Sequence, residues 1–249
     1  MMYKTAIITS VYNSSLFLLN FLDNIKHQKN DHEYLHYVVN CEPHDFGVRD
    51  ELHDFLISDK HCLYFELDYS FTVYEVWNYV LKDIQQHFPD TEYVTNANVD
   101  DLLLEDCLRI HEDALETNKD VDLVYCRNLI SNEPNRSTDN LDDLNVYPTA
   151  QFSLNGMLKS NLPHNHPMWR ISLHDRFGLF DTTYKYAADW EFWLRCAFGG
   201  SKFKLIDGEP LGLYYWNPQG QTTNQNNLLQ KTLEENQILN KYSRKKIGA

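Results

Sequence analysis

Short apolar runs and helical stripes alternate along residues 3–130, and no other property of the chain restricts its fold so strongly. Residues 3–11 form the first run, centred on Ala6-Ile7-Ile8. The turn and capping residues Tyr12-Asn13-Ser14-Ser15 follow, and Leu18, Phe21, Leu22 and Ile25 then recur at helical spacing. Residues 34–40 and 62–67 predict a second and a third strand. Val73, Val76, Trp77, Val80, Leu81 and Ile84 fit the i, i+3, i+4 pattern of an amphipathic helix. Residues 92–95 predict a strand, Leu104, Leu108, His111 and Leu115 a helix stripe, and residues 121–130 another strand. Strands joined through helices pair in parallel. The expectation is therefore a Rossmann-like α/β domain with a mostly parallel central sheet flanked by helices.

The second half changes character. Residues 131–143 are polar and predict a mobile loop; residues 164–170 pack His, Pro, Trp and Arg into a short span. Residues 187–198 predict a helix with Trp190, Trp193, Leu194 and Ala197 on one face. Strands are expected over 202–206 and 211–216, and a polar helix or tail over 227–242. No repeat and no clean linker interrupts this order, so one continuous domain is expected.

Composition narrows the function classes. Hydrophobic residues at 43% and charged residues at 23% suit a globular chain. The 22 basic residues against 36 acidic give a net charge of −14, which argues against nucleic acid as a partner. The aromatic share of 14% serves either a core or a sugar-stacking surface. The N-terminus runs straight into a strand, so no signal peptide is expected, and no apolar run approaches the about 18 residues of a membrane span. Five widely spaced cysteines without a CxxC pair disfavour zinc-knuckle and thioredoxin chemistry. They read as small apolar residues of a reducing, cytoplasmic compartment. The basic end, Lys241 to Lys246, reads as a solvated tail, with peripheral membrane contact as the lesser alternative.

In a parallel α/β sheet, ligands bind beyond the carboxyl ends of the strands. Three such ends are polar: Thr9-Ser10-Val11-Tyr12-Asn13, Asn40-Cys41-Glu42 and Asn98-Val99-Asp100-Asp101. Neither GxGxxG nor GxxxxGK[ST] occurs, so a nucleotide has to be held by side chains and a metal. The adjacent carboxylates Asp100 and Asp101 suit a hard cation, Mn²⁺ or Mg²⁺. Capping the following helix explains either acid equally well.

Together these pieces resemble a family 2 glycosyltransferase of the GT-A fold, from Thr5 to about Thr223. The resemblance implies a GT-A domain over 1–223, with a donor half (about 1–130) and an acceptor half (about 131–223), followed by a C-terminal helix or tail over 224–249. The stretch Ile7 to Asn13 is similar to the first strand and turn that hold the nucleobase, which implies donor contacts from Thr9, Val11, Tyr12 and Asn13. Asn98-Val99-Asp100-Asp101 is similar to the DXD segment, with Asn98 in place of the first acid. Asp100 and Asp101 then inherit the metal, and Asn98 and Val99 the donor. Where the family has Asp-Asp-Gly-Ser, this chain has Asn40-Cys41-Glu42-Pro43, and Glu42 is the candidate base contact. Asn78 matches an asparagine near the donor.

Gly178-Leu179-Phe180-Asp181 and Tyr186-Ala187-Ala188-Asp189-Trp190-Glu191 resemble the acceptor-side segments, in which Asp189 is the catalytic base and Ala188 replaces the usual glutamate. Residues 211–218 are similar to the closing strand and active-site loop, and the loops 131–143 and 217–225 are candidates for ordering over the donor. His166, Trp169, Arg170 and Trp190 are assigned to the acceptor or diphosphate side. The histidines 164, 166 and 174 lack zinc-site spacing. Glu191 reads as a helix-surface partner of Arg195, and Trp193 as core. The implied reaction is an inverting hexosyl transfer from a nucleotide-diphosphate sugar, a UDP-sugar by default, to a saccharide or other hydroxyl acceptor. The rival reading is a degenerate module of the same fold that binds saccharide or nucleotide without turnover. A nucleotidyltransferase would need a glycine-rich basic loop, which is missing.

Overall fold

The computed structural model of the protein describes residues 3–29, 33–41, 55, 59–67 and 71–247. β1 (Thr5–Val11) is almost wholly buried, as a central parallel strand must be, and its near-continuous apolar sequence follows from that. It pairs in parallel with β2 (Leu35–Asn40) on one side and with β4 (Tyr93–Asn96) on the other. β3 (Cys62–Glu66) extends the sheet beyond β2. Beyond β4 come β9 (Met168–Arg170), β6 (Leu123–Tyr125) and β10 (Phe203–Leu205), giving seven strands in the order β10-β6-β9-β4-β1-β2-β3. β9 alone runs antiparallel to its neighbours. A second sheet has the order β5-β11-β7-β8, from β5 (Leu102–Leu103), β11 (Gly212–Tyr215), β7 (Asn128–Ser131) and β8 (Asn145–Val146).

Two sequence expectations change here. The apolar run 121–130 is two strands in different sheets. The chain bends at Cys126-Arg127, where Tyr125 and Arg127 carbonyls accept from the Ile206 and Leu211 N–H groups at 2.8 and 2.9 Å. A single run cannot signal this, because both halves have the same composition. The His-Pro-Trp-Arg stretch contains β9, a strand inserted between β4 and β6.

Helices cover both faces of the large sheet. α1 (Leu18–Lys26) and α3 (Cys107–Thr117) pack on the face that Ile7 enters; α2 (Val73–His87) packs on the face of Ala6 and Ile8. α2 starts at a capping box: Glu75 N–H donates to Thr72 Oγ1 at 3.3 Å and Thr72 N–H to Glu75 Oε2 at 2.7 Å. The short helices α4 (Leu154–Met157) and α5 (Ser172–Phe177) precede α6 (Ala188–Phe198). Trp77, Trp169, Phe180, Phe192 and Trp193 interlock between α2, the sheet and α6 with ring centroids 4.7–6.4 Å apart.

The C-terminal segment is α7 (Leu228–Ile247), docked through the buried Ile238 and Tyr242. Glu191, expected on a helix surface, is fully buried beneath it. Glu191 accepts from Arg195 at 2.8 Å, Lys241 at 2.8 Å and the Tyr242 hydroxyl at 2.6 Å. No helix among the described residues is long and apolar enough to cross a membrane. Glu42 and the side chains of residues 244–249 lie outside the described residues.

Candidate active site

The parallel strands end on one edge of the large sheet, at Val11, Asn40, Asn96 and Tyr125. Antiparallel β9 begins at that edge, so the residues before it, Asn161 to Pro167, join the same rim. Thr9 and Val11 are buried within β1 and shape the rim from below. Thr9 Oγ1 donates to the Ala97 carbonyl at 3.1 Å and lies 2.9 Å from His36 Nε2. Tyr12 is 58% exposed, and Asn13 takes the left-handed conformation at φ 49° that turns the chain outward. The turn after β1 therefore exposes one aromatic ring, Tyr12.

Asp100 and Asp101 differ although they are adjacent. Asp101 is 2% exposed and fully engaged. Oδ1 accepts from the Tyr215 N–H at 2.9 Å, and Oδ2 from the amides of Asn98 at 3.0 Å and Asn165 at 3.1 Å. Asp101 thus ties the strand end to β11 and to the 161–167 rim. Burial, followed by the charge of Asp100, pushes its carboxyl up to about 8, even against those three donors. Asp100 is half-buried and accepts from the Asn217 amide at 2.9 Å; burial raises its pKa as well. It borders a small cleft with Val99, Ser131, Glu133, Arg136 and Tyr215. Asn98 is spent on Asp101 and, at 3.3 Å, on Asn165.

Asp189 lies in the first turn of α6. The Tyr74 hydroxyl donates to its Oδ1 at 2.8 Å and the Asn161 amide to its Oδ2 at 2.6 Å. Burial raises the carboxyl above the ordinary aspartate range, while Tyr74, the Trp190 N–H and Asn161 act in the opposite direction. Asn161 and Asn165 stand four residues apart, so their Cα atoms are at most about 14 Å from each other. One short rim segment therefore holds Asp189 at one end and Asp101 at the other.

Several residues singled out by sequence serve as scaffold. Asn78 spends both ends of its amide on the Phe180 backbone, at 2.8 and 3.0 Å, locking α2 to the turn before α6. Trp169 is fully buried and donates to His174 Nε2 at 3.0 Å. Arg170 pairs with Tyr93, at the opposite edge of the sheet from the rim. It donates to the carbonyls of Val121 and Leu115 at 2.9 and 2.7 Å. Trp190 is buried and donates to the Met157 carbonyl at 2.7 Å. His166 is at the rim but 2% exposed, against Gly212; a Cβ there would meet it at 2.7 Å, so only glycine fits.

Sequence reading did not single out Tyr74, Asn161, Asn165, Arg136 or Asn217. Arg136 is the cation beside Asp100, bound to Glu133 at 2.9 Å and Asp143 at 2.7 Å within the 131–143 loop. The asparagines at 161 and 165 crowd a short polar segment, which was their only signal in the sequence.

No protein-family model matches the sequence, and no curated protein is similar to it in sequence. Solved structures do match. S. aureus TarS 1–349 in complex with UDP aligns with a TM-score of 0.69 at 15% identity, over 95% of this chain and 64% of that one. The same protein in complex with UDP-GlcNAc gives 0.68 at 15% identity, over 89% and 61%. The mannosyltransferase PcManGT from Pyrobaculum calidifontis, in complex with GDP-Man and Mn²⁺, gives 0.63 at 18% identity, over 88% and 59%. The chain has a GT-A-like glycosyltransferase fold. It spans less than two thirds of the length of each of these structures.

Proposed function

We propose that the protein is an inverting glycosyltransferase of the family 2 type, moving a hexose from a nucleotide-diphosphate sugar, UDP by default, to a hydroxyl acceptor in the cytoplasm. The observation that carries this reading is the shared rim segment, which joins a half-buried carboxylate with a raised pKa, Asp189, to an acidic strand end, Asp100-Asp101. In this reading residues 1–130 bind the donor and 131–223 present the acceptor. Tyr12 stacks on the base, and Val99 and Asn13 line the donor side. Arg136 faces the diphosphate in the cleft beside Asp100.

Asp189 removes the proton from the acceptor hydroxyl as general base. Tyr74 and Asn161 fix the carboxylate's orientation. The acceptor oxygen attacks the anomeric carbon on the face opposite the nucleoside diphosphate, which inverts the configuration. Asp100 offers the chemistry a hard cation needs: carboxylate oxygens at a half-buried strand end, where burial raises the pKa and a bound cation would favour the ionised form. Asp101 positions it from beneath. Mn²⁺ or Mg²⁺ bound there supplies neutralisation of the charge that develops on the leaving diphosphate. Asn217 and the turn it starts bring the end of β11 onto Asp100.

A thermal-shift screen of nucleotide sugars, followed by calorimetry with UDP with and without Mn²⁺, tests the reading. Metal-dependent UDP binding with slow donor hydrolysis is the expected result. Binding of glycan alone, with no effect of any nucleotide, would replace it with the degenerate-module reading, which Asn98 and its commitment to Asp101 favour.

A further inference from the structure

Cys107 and His111 stand four residues apart on α3 and so share one face of the helix. The bend after β6 brings Cys126 against them. The two sulfurs and a ring nitrogen of His111 all lie within 4.8 Å of one another, and all three residues are buried. Donors on one tetrahedral zinc ion stand about 3.6–3.8 Å apart, given Zn–S of about 2.3 Å and Zn–N of about 2.0–2.1 Å. Closing the cluster onto an ion therefore takes movements of about 1 Å.

The imidazole is set up for this role. His111 Nδ1 lies 2.7 Å from the Cys107 carbonyl and 3.6 Å from the Cys107 sulfur; as an N–H donor to the carbonyl it fixes the tautomer. Metal-binding histidines are held in this way, with the second nitrogen left basic. That nitrogen, His111 Nε2, is buried without a hydrogen-bond partner, which is unfavourable unless something else binds it. His166 adjoins the cluster. Both of its ring nitrogens are buried without partners.

We propose that Cys107, His111 and Cys126 bind a thiophilic divalent cation of the zinc class, with the fourth position open to His166 or water. Two thiolates and an imidazole select a softer ion than the carboxylates at Asp100, so the two sites are chemically separate. An ion here would join α3 to the bend where the chain passes from the large sheet into the small one. His166 follows Asn165, the residue that braces Asp101, so the ion would also stiffen the rim. The site does not depend on the transferase reading.

The test uses the full chain, stripped with a chelator under reducing conditions and titrated with Co²⁺. The expected result is a thiolate-to-cobalt charge-transfer band with intense visible bands of tetrahedral Co²⁺. Both saturate at a single ion per chain and vanish when Zn²⁺ is added. Cys107→Ser and Cys126→Ser should each weaken binding by about tenfold or more, whereas Cys62→Ser and Asp100→Asn should leave the spectrum unchanged. The inference is overturned if the wild-type protein gives no thiolate–cobalt band or if the band survives the double cysteine substitution. It is also overturned if Cys107 and Cys126 of the metal-free reduced protein close into a disulfide on exposure to air and Zn²⁺ does not prevent it. The wild-type titration decides the matter even if a variant fails to fold.

Discussion

Asp101 is buried and Asp189 half-buried, and burial raises both carboxyls, yet their partners give them different roles. Asp189 is held by two side chains and is only partly buried, whereas Asp101 has a backbone N–H and two amides on its two oxygens. Asp189→Asn should lower turnover by about 10²-fold or more while UDP affinity stays unchanged, in rate and calorimetric measurements on one preparation. The sign for stability is opposite. The folded pKa lies above the ordinary 3.8, so the folded state holds the extra proton between those values, and stability falls as pH rises through that window. The substitution removes that penalty, and the unpartnered Asn161 Oδ1 can accept from the new amide. The variant should melt no lower than wild type at neutral pH; a large drop in melting temperature with activity retained would assign Asp189 to structure. The wild-type rate should also fall on the acid side at a pH above the usual aspartate range, because the base must be ionised.

Asp101→Ala would strand three N–H donors. At about 1–3 kcal/mol for each unsatisfied group, even partial relief of the Asp100 repulsion leaves a loss of about 3 kcal/mol, measurable by urea unfolding. At this scale the sequence showed which residue types stood at which strand end. It could not tell Asp100 from Asp101, because the difference is made by Tyr215 and Asn165, far along the chain. Arg170 shows the same limit in reverse. A lone arginine near a functional cluster reads as a phosphate ligand, but antiparallel β9 carries it to the far edge of the sheet.

α7 turns a polar C-terminal segment into part of the site's frame. Glu234 is 3% exposed and accepts from the N–H groups of Lys185 at 3.0 Å and Tyr186 at 2.8 Å, just before α6 and Asp189. Glu234→Ala should leave the buried Tyr186 N–H unpaired and free the Lys185 N–H to solvent, lowering stability by about 1–3 kcal/mol and the melting temperature by about 2–10 °C. Glu234→Gln should restore most of the loss, since its carbonyl oxygen still accepts. Equal melting of all three proteins by calorimetry would show that α7 does not brace α6. The 3.6-residue periodicity made α2 legible, and its Thr72–Glu75 box marks its start in the sequence as well. α7 was less legible because its buried face is narrow: Ile238 and Tyr242 are stripe residues, and the acid Glu234 lies among them. The Cys107–His111 spacing was visible too, but only Cys126 from another element gives it meaning.

Across the whole molecule, charge and buried imidazoles set the response to pH. Burial lowers His36, His164 and His174 from 6.5 to about 4 and His166 to about 3. Their folded pKa values lie below the unfolded ones. Stability is therefore full above about 6.5 and is lost as pH falls toward about 4. Asp100, Asp101 and Asp189 act in the opposite direction, but four imidazoles outweigh three carboxyls. Urea unfolding followed by circular dichroism should show a net loss on the order of several kcal/mol between pH 6.5 and pH 4, and a flat profile would show that these histidines are solvated. The net charge of −14 also bears on the donor: without Mn²⁺, UDP should bind more than about tenfold weaker, as calorimetry with a chelator would report. By itself the sequence determined the alternating α/β order, the parallel sheet and the polar strand ends, because periodicity and local composition are properties of contiguous residues. Only the tertiary structure decided which acid is braced and which is open, which arginine meets the cleft, and which cysteines meet a histidine. Each of these depends on partners that come from distant segments and meet only when the sheet closes.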